Sequence, residues 1–234
     1  MQLDRILQSQ GFGSRKQCRS MIRHGHVAID DAICEDPFIE LNPEGLCFSV
    51  DGEPWQYREH AYVMLHKPQG YECSRTPKHH PSIFSLLPDP LVGREVQSVG
   101  RLDEDTTGLL LLTDDGQFIH QLTSPKRKVS KVYAVTTKHP VDEALLAALR
   151  KGVLLHDEQA PIAAAACEQV DTHLIHLTLL EGKYHQVKRM VAAAGNRVEA
   201  LRRIAIGGLD LPDDLAEGEW RWLEPTDLER LWQG

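Results

Sequence analysis

Residues 99–116 read VGRLDEDTTGLLLLTDDG and join a polar, acidic loop to a short apolar run. The run 109–113 is bounded by a glycine and by an Asp-Asp-Gly turn, so it predicts a short buried strand. Asp103 is then expected in a loop just before a core strand, where a rigid scaffold can hold a reactive group without burying it completely. The local composition also allows a plainer interpretation, in which Asp103 and Asp105 are ordinary turn residues.

The length and composition of the chain are those of a globular protein with one large domain, or a large and a small one. It has 234 residues, of which 41% are hydrophobic and 26% are charged. No apolar run approaches the roughly 18 residues of a membrane span, and the N-terminus lacks the basic-then-apolar order of a signal peptide. The five cysteines are scattered without a Cys-x-x-Cys pair, which argues against a disulfide framework or zinc site and favours a reducing cytoplasm.

Charge is distributed unevenly along the chain. The formal net charge of −8, taken as an average, argues against RNA binding. However, residues 5–29 hold five lysines or arginines and no acid, whereas residues 30–60 hold nine acids and one arginine. Residues 210–234 hold eight acids and two arginines. Because phosphate binding depends on local potential, a basic surface can coexist with an acidic surface that faces solvent.

The N-terminal region predicts two short helices followed by a small hairpin. Apolar residues recur at helical spacing from Leu3 to Leu7, and Ser14 is placed as the N-cap of a second helix over 15–23. The cations of the second helix follow i, i+4 spacing and lie largely along one stripe. They are Arg15, Lys16, Arg19 and Arg23. Charge alone explains this stripe at least as well by a solvated helix face as by RNA binding.

The middle of the chain predicts a linker, a strand and a strongly basic loop. Residues 53–60 are polar and contain one proline, which is typical of a linker. A strand over 62–65 is followed by the turn Lys-Pro-Gln-Gly at 67–70. The densest basic patch falls in residues 126–131, for which phosphate contact is the best explanation. Its cations are Lys126, Arg127, Lys128 and Lys131.

A strand that begins at Lys131 alternates inward and outward and contains Tyr133, for which a place in the core is a fair alternative to a functional role. The remaining predicted elements are a helix over 141–149, paired strands over 163–170 and 173–180, a helix over 185–194, a strand over 197–206 and a last helix near 226–232. No Gly-rich phosphate loop or dinucleotide fingerprint is present.

Three separated segments resemble motifs of the RNA pseudouridine synthases, and especially of the RsuA family, which modifies ribosomal RNA. They are Lys-Pro-x-Gly at 67–70, Gly-Arg-Leu-Asp with Asp-Thr-Thr-Gly-Leu-Leu at 100–110, and Glu-Gly-Lys-Tyr-His-Gln-Val-Lys-Arg-Met at 181–190. The segments also occur in the order that the family shows, and the resemblance extends over nearly the whole chain.

The resemblance implies a role for each motif. Asp103 would be the nucleophile, and Arg101 would help to displace the target base. Tyr133 would lie against the uracil and is a proposed acid or base. Lys188 would pair with Asp103, although many relatives in wider branches have arginine there, and lysine offers a point charge instead of a bidentate fork. Arg189 is a second choice for this pairing, or a phosphate contact.

The first of these motifs has a structural role in the family. Lys67, Pro68 and Gly70 would help to build the floor of the active site. The residues themselves are equally compatible with a plain turn, since proline fixes one dihedral angle and glycine permits a positive one.

Residues 1–52 resemble an S4-type RNA-binding domain, whose basic second helix rests against RNA backbone. The matching segments are Leu-Asp-Arg-Ile-Leu, Gly-x-x-Ser-Arg-Lys-Gln-Cys, Ile-Arg-His-Gly-His-Val and the closing Val-Asp-Gly. The two resemblances together imply an α+β protein. A small S4-like (α-L) domain over 1–58, with a linker from about residue 53, would precede a pseudouridine-synthase catalytic domain over 59–234. That domain would contain a mixed, largely antiparallel sheet and flanking helices.

The resemblance is strongest to enzymes that act on small-subunit (16S) ribosomal RNA. The expected function is therefore site-specific conversion of uridine to pseudouridine in 16S rRNA or in an assembling small-subunit particle. This chemistry needs no metal, nucleotide or redox cofactor, in agreement with the lack of such motifs. We expect a cytoplasmic monomer without membrane contact.

Three alternatives remain open on the sequence. A member of the same family could act on large-subunit (23S) RNA. A non-catalytic RNA-binding ribosome-assembly factor would not need the joint presence of Asp103, Tyr133 and Lys188. A glycosidase using Asp103 and Asp105 is the weakest, since a spacing of two residues in a loop does not establish the carboxylate separation that this chemistry requires.

Overall fold

The computed structural model describes residues 1–233, which form two compact units. The first unit consists of Met1–Ala61, Leu87–Gln97 and Thr113–Asp115. The second consists of Tyr62–Leu86, Ser98–Leu112 and the chain from Gly116 onward. Each unit has a buried apolar cluster of its own.

Two helices and a small antiparallel sheet make up most of the first unit. They are α1 (Leu3–Ser9), α2 (Arg15–Arg23), β1 (Val27–Ile29), β2 (Ala32–Ile33), β3 (Cys47–Val50) and β4 (Glu53–Gln56), with a third helix, α3 (Asp89–Gly93), later in the chain. The sheet order is β2-β1-β3-β4. Ser14 caps α2 as predicted, because its side chain accepts a hydrogen bond from the backbone of Gln17, whose side chain bonds back to Ser14. Leu3, Ile6 and Ile22 are fully buried in the core between the helices and the sheet.

The predicted linker is wrong for its first half, because residues 53–56 form β4. Asp51 and Gly52 have positive φ angles of 51° and 84°, and this tight turn folds the chain back so that β4 pairs with β3. Trp55 on β4 then packs edge-on against Phe12, with ring centroids 5.3 Å apart. The polar composition of residues 53–60 and their proline are typical of a linker, but they are also compatible with a strand at the edge of a sheet, which is what β4 is.

The first unit is not one continuous stretch, whereas the predicted division at residue 58 treats it as one. The side chain of Arg94 is 2% exposed and donates hydrogen bonds to the carbonyl oxygen of Arg58 at 2.8 Å and to Gln10 Oε1 at 3.0 Å. It also pairs with Asp114 at 2.7 Å. One arginine thus joins three segments that are distant in sequence, and no local pattern predicts such a connection.

A nine-stranded sheet lies at the centre of the second unit. Its strands are β5 (Tyr62–Lys67), β6 (Gln97–Ser98), β7 (Thr106–Thr113), β8 (Lys131–Thr137), β9 (Ala166–Asp171), β10 (Leu174–Leu179), β11 (Val198–Ile206), β12 (Leu209–Asp210) and β13 (Trp220–Trp222). The order is β13-β5-β7-β11-β8-β10-β9, with β6 beside β7 and β12 beside β11. β7 and β11 run parallel, whereas β11–β8, β8–β10, β10–β9 and β13–β5 are antiparallel.

Helices accompany this sheet. They are a 3₁₀ helix (Ile83–Leu86), α4 (Gly116–Thr123), α5 (Glu143–Lys151), α6 (Gln186–Ala193) and α7 (Pro225–Arg230). Leu109, Leu111 and Phe118 belong to a buried apolar cluster of this unit, together with residues of the C-terminal segment. The predicted α+β class, with a mixed and largely antiparallel sheet flanked by helices, is confirmed.

The parallel pair β7–β11 fixes the start of β7. The strand begins at Thr106, opposite Leu201, and so starts three residues earlier than the apolar run predicts. Gly108 faces Arg203 with a φ of 108°, and a Cβ atom at position 108 would lie 2.2 Å from the Arg203 carbonyl oxygen. Only glycine allows this approach of the two backbones.

Across residues 1–233, every helix is too short or too polar to cross a bilayer.

Candidate active site

Asp103 lies in the tight loop between β6 and β7. The backbone N–H of Thr106 donates a hydrogen bond to the Asp103 carbonyl oxygen at 3.1 Å. This bond forms a turn between Asp103 and Thr106, the first residue of β7. Leu102 is buried beside it, while the Asp103 side chain keeps 30% of its surface exposed. The backbone of the loop is thus fixed at the start of β7, while the Asp103 carboxylate stays accessible.

The side chain of a buried lysine, Lys67, holds the Asp103 loop in place through hydrogen bonds to its backbone. Lys67 is the last residue of β5, and its Nζ donates hydrogen bonds to the carbonyl oxygens of Pro68 at 3.0 Å, Glu104 at 3.2 Å and Thr106 at 2.9 Å. The backbone N–H of Gly70 donates to the same Glu104 oxygen at 2.8 Å. Burial lowers the pKa of Lys67, opposed by nearby acidic groups. The motif at 67–70 therefore binds the backbone on either side of Asp105.

Lys188 on α6 binds two carboxylates of the loop. Its Nζ lies 3.1 Å from Asp103 Oδ2 and 2.6 Å from Asp105 Oδ1. Burial by itself would lower the pKa of Lys188, but the hydrogen bonds to Asp105 and Asp103 outweigh this effect and raise it. Burial would likewise raise the pKa of Asp105, yet the hydrogen bond from Lys188 leaves that pKa lowered. Both members of the Lys188–Asp105 pair are therefore charged at neutral pH.

His185 completes the surroundings of the carboxylate, although the sequence motifs did not predict this role for it. Its Nε2 lies 3.3 Å from Asp103 Oδ1. Lys188 binds the other oxygen of the same carboxylate, Oδ2. His185 is the residue before α6 and has a left-handed backbone with a φ of 46°, which is uncommon for a residue with a side chain. Its position three residues before Lys188 is the signal that could have indicated a shared site, since i, i+3 residues lie close on a helix.

Asp105 had no role in the expected pseudouridine-synthase site and was named only as one carboxylate of the glycosidase alternative. The hydrogen bond from Lys188 lowers the pKa of Asp105, which favours the carboxylate over the proton-donating carboxylic acid that a glycosidase needs. Because Asp103 and Asp105 bind the same ammonium group, the glycosidase interpretation loses its support.

Tyr133 lies close to Asp103 in space. It is on β8, opposite Arg203 of β11, and is 8% exposed. Tyr133, Asp103 and Val187 line a small cavity of about 60 Å³. The sequence-predicted nucleophile, tyrosine and lysine are thus brought together from β8, α6 and the β6–β7 loop.

Arg101 is exposed and lines a larger cavity of about 440 Å³ next to Asp103. Tyr184 and His185 line the same cavity from the segment before α6. The guanidinium of Arg101 is therefore available to a ligand that enters beside the carboxylate.

Arg189 is engaged elsewhere. Its side chain pairs with Asp157 and donates a hydrogen bond to the carbonyl oxygen of Tyr184 at 3.1 Å. The contact with Asp103 is made by Lys188, so Arg189 supports the segment that precedes α6.

The basic loop before β8 divides into two parts. Lys126, Arg127 and Lys128 are exposed. Lys131 is half-buried and donates a hydrogen bond to the carbonyl oxygen of Val129 at 3.0 Å. Burial lowers the pKa of Lys131 to about 8, and the neighbouring Arg203 contributes in the same direction. Only the first three residues present freely exposed charge.

The basic stripe of α2 also divides. Asp4 is completely buried, and its Oδ2 accepts from Arg19 at 2.8 Å and Arg15 at 3.4 Å. The Arg19 guanidinium also lies 5.0 Å from the centre of the Phe38 ring. Lys16 and Arg23 are exposed.

The residues that the structure describes include no group of three His, Cys, Asp or Glu side chains suited to hold a metal ion.

Comparison with family models gives two matches. The model of the RNA pseudouridylate synthases matches residues 61–193, and that of the S4 domain matches residues 1–44.

Similar curated proteins span almost the whole chain. The ribosomal small subunit pseudouridine synthase A of Haemophilus influenzae is 41% identical over 231 residues, which are 99% of this chain and 99% of that protein. The protein of the same name from Escherichia coli K12 is 42% identical over 229 residues, covering 97% of this chain and 98% of that protein.

Solved structures agree with these relatives. One described as the crystal structure of pseudouridylate synthase has a TM-score of 0.70 and 40% identity, and covers 99% of each chain. A structure of an H/ACA ribonucleoprotein bound to a substrate RNA has a TM-score of 0.50 over 67% of this chain at 16% identity, which is a likeness of fold alone.

Proposed function

The chain belongs to the RNA pseudouridylate synthase family, and from this premise we propose that it converts a uridine of small-subunit (16S) ribosomal RNA to pseudouridine. The choice of RNA is supported by relatives about 40% identical over nearly their full length, which are named small subunit pseudouridine synthases. The resemblance to the RsuA family that the motifs indicate is thereby confirmed. The alternative of a 23S enzyme has no support among these relatives.

One observation carries the assignment of the site: an accessible carboxylate, Asp103, lies 3.1 Å from the Lys188 ammonium beside two cavities. A carboxylate acts as a nucleophile only when ionised, and the hydrogen bond that Lys188 donates to Asp103 Oδ2 can hold the carboxylate in place for attack. We assign Asp103 as the nucleophile and Lys188 as the cation that pairs with it and orients it.

The reaction is an isomerisation that balances without a co-reactant. The bond between N1 of uracil and C1′ of ribose breaks, and a bond between C5 and C1′ forms. The C5 proton is lost, and N1 gains a proton. The chain's own residues therefore have to expose the base, attack it and manage two protons.

Each remaining site residue has a place in this scheme. A uridine in folded RNA must leave its stack, which costs about a few kcal/mol. We assign Arg101 to the space that the uridine vacates and to the neighbouring phosphate, and Tyr133 to contact with the flipped uracil. Lys67 and Gly70 hold the backbone of the nucleophile loop, so we regard them as positioning residues.

Binding of the large substrate is assigned to the exposed cations. We propose that the S4-like domain, residues 1–58, contacts RNA backbone through α2, and that Lys126, Arg127 and Lys128 add contacts from the catalytic domain, residues 59–234. The substrate is ribosomal RNA or an assembling small-subunit particle, and the protein works as a cytoplasmic monomer.

Tritium release from RNA labelled at C5 of uracil tests this proposal. Small-subunit RNA, large-subunit RNA and an assembling small-subunit particle would each be incubated with the wild type, Asp103→Asn and Asp105→Asn. We expect release from small-subunit material only, reduced in Asp103→Asn to below about 10⁻⁴ of the wild-type rate.

The Asp105→Asn variant is the matched control, since it removes the neighbouring carboxylate and leaves the nucleophile. It should retain measurable turnover. Abolished release in Asp105→Asn with activity in Asp103→Asn would exchange the two roles. Release from large-subunit RNA alone would overturn the choice of substrate, and RNA binding without any release would favour the assembly-factor alternative.

A further inference from the structure

Tyr184 is a large aromatic residue that the reaction scheme above does not use. It lies in the segment between β10 and α6, and 73% of its surface is exposed. It also lines the 440 Å³ cavity next to Asp103. An exposed aromatic ring at the mouth of a catalytic cavity needs an explanation, since tyrosine usually buries most of its ring.

The ring of Tyr184 is held in place on one face. It stacks on the His185 ring, with centroids 3.8 Å apart and an angle of 19° between the planes. His185 in turn lies 3.3 Å from Asp103, and the Tyr184 carbonyl oxygen accepts a hydrogen bond from Arg189. The ring is therefore supported on one face by His185, and the 73% exposure of the residue shows that solvent reaches the rest of it, so we take the second face to be open.

The cavity that Tyr184 lines also contains a cationic group that can bind a phosphate. Arg101 lines the same cavity and provides a positive charge for a phosphate. When a uridine is flipped out of its stack, each neighbouring base loses one stacking partner. A fixed aromatic plane can replace that partner, and proteins that bind single-stranded nucleic acid use aromatic rings in this way.

We propose that the open face of Tyr184 is a stacking platform for the base of a nucleotide adjacent to the flipped uridine, with the His185 ring as its support. This inference rests on the proposed function, because it requires RNA to enter the cavity beside Asp103. It adds a binding site for a second base to the site for the target uracil.

The test uses Tyr184→Leu, which keeps an apolar side chain without an aromatic face, and Tyr184→Phe, which keeps the ring. The substrate is a small-subunit RNA fragment that the wild-type protein modifies, with the modified position mapped first. KM and kcat would be measured by tritium release. Tyr184→Leu should raise KM by about 5- to 100-fold and affect kcat less, since base–aromatic stacking contributes to binding by this order. Tyr184→Phe should resemble the wild type.

Two further comparisons separate stacking from a general loss of structure. RNA with an abasic site on the 5′ or the 3′ side of the target should bind the wild type more weakly on one side only, and on that RNA Tyr184→Leu should cause no further loss. Trp232→Leu is the matched control: Trp232 is also an exposed aromatic, at 46%, and lines neither cavity at Asp103. Its KM should be unchanged.

The failure of this inference can be told apart from failure of the proposed function. Wild-type KM in Tyr184→Leu, or an equal loss on intact and abasic RNA, would overturn the platform while tritium release continued. An absence of release with the wild-type protein would instead overturn the proposed function.

Discussion

Lys188 balances the charge of two neighbouring carboxylates. Its ammonium contacts Asp103 and Asp105, and its side chain is 26% exposed, so water screens the three charges only in part. If Lys188 were absent, two like charges would face each other beside a half-open cavity. The two carboxylates would then repel each other and tend to turn apart. The lysine therefore acts on Asp103, the proposed nucleophile, through both charge and orientation.

Replacing Lys188 with methionine should impair catalysis far more than folding. We expect kcat for tritium release to fall by about 10²- to 10³-fold, the scale on which loss of a positioned charged or hydrogen-bonding group is felt at active sites. Lys188→Arg keeps the charge and should recover part of this loss. Wild-type kinetics in Lys188→Met would assign the pairing to another residue.

The same ion pair should contribute to stability over a defined pH range. The pKa of Asp105 is lowered, so its contribution is present above the unfolded carboxyl value of about 3.9 and is lost as the pH falls through the folded value. The pKa of Lys188 is raised, so its contribution is present below about 10.4 and is lost as the pH rises through the folded value.

Denaturant unfolding of the wild type and Lys188→Met across pH measures this contribution. The difference in unfolding free energy should be constant between about pH 5 and 9, at about 0.2–1 kcal/mol because the pair is partly exposed. It should shrink below about pH 3 and above about pH 11. A difference that persists at low pH would mean that packing, and not charge, is lost in the variant.

At the scale of elements, the parallel pair β7–β11 determines where Asp103, the proposed nucleophile, lies. β7 pairs with β11 from its first residue, Thr106, and the Asp103 loop ends at that residue. β11 also pairs with β8, which carries Tyr133. The close approach of the β7 and β11 backbones at Gly108 therefore sets the distance between Asp103 and Tyr133.

Gly108→Ala should separate these strands. The added Cβ would meet the Arg203 backbone at 2.2 Å, and a φ of 108° is unfavourable for alanine. We expect a loss of about 2–4 kcal/mol in unfolding free energy, read as a lowered midpoint in a denaturant titration.

Gly116→Ala is the matched control for that experiment. A Cβ at Gly116, the first residue of α4, meets nothing within 4 Å. This variant should be neutral or slightly stabilising, by up to about 1 kcal/mol, because alanine favours the helix over glycine. Equal effects of both substitutions would reject the close-approach argument.

Local signals along the whole chain predicted most elements. The Ser14 cap placed α2, and the apolar run at 109–113 indicated a buried strand. The predictions failed where long-range pairing decides the outcome, as for β4 and for the first residues of β7. Neither segment is apolar, and each becomes a strand because a neighbouring strand supplies its hydrogen bonds.

The candidate site could be predicted in outline because most of its residues lie in local sequence motifs. The family resemblance named Asp103, Tyr133 and Lys188, which lie in recognisable motifs. It did not reveal that Asp105 shares the lysine or that His185 faces the nucleophile, since these contacts depend on how α6 meets the loop. Nor could it separate the half-buried Lys131 from its exposed neighbours, because burial is a property of the folded chain.

The uneven distribution of charge over the molecule predicts how RNA binding depends on salt concentration. Although the net charge is −8, Lys16 and Arg23 of α2 are exposed, and they lack the contact with Asp4 that engages Arg15 and Arg19. Each of the two should therefore release counterions when it contacts a phosphate.

Neutralising Lys16 and Arg23 should weaken RNA binding in a salt-dependent way. For Lys16→Gln combined with Arg23→Gln, the slope of log K against log salt concentration should become shallower by about 1.4–1.8, or about 0.7–0.9 for each lost phosphate contact. Lys151→Gln removes another exposed charge, from the last turn of α5, and should leave the slope unchanged. If the α2 variant keeps the wild-type slope, its stripe is a solvated helix face, and the RNA contacts must come from other cations, with Lys126, Arg127 and Lys128 as the next residues to neutralise.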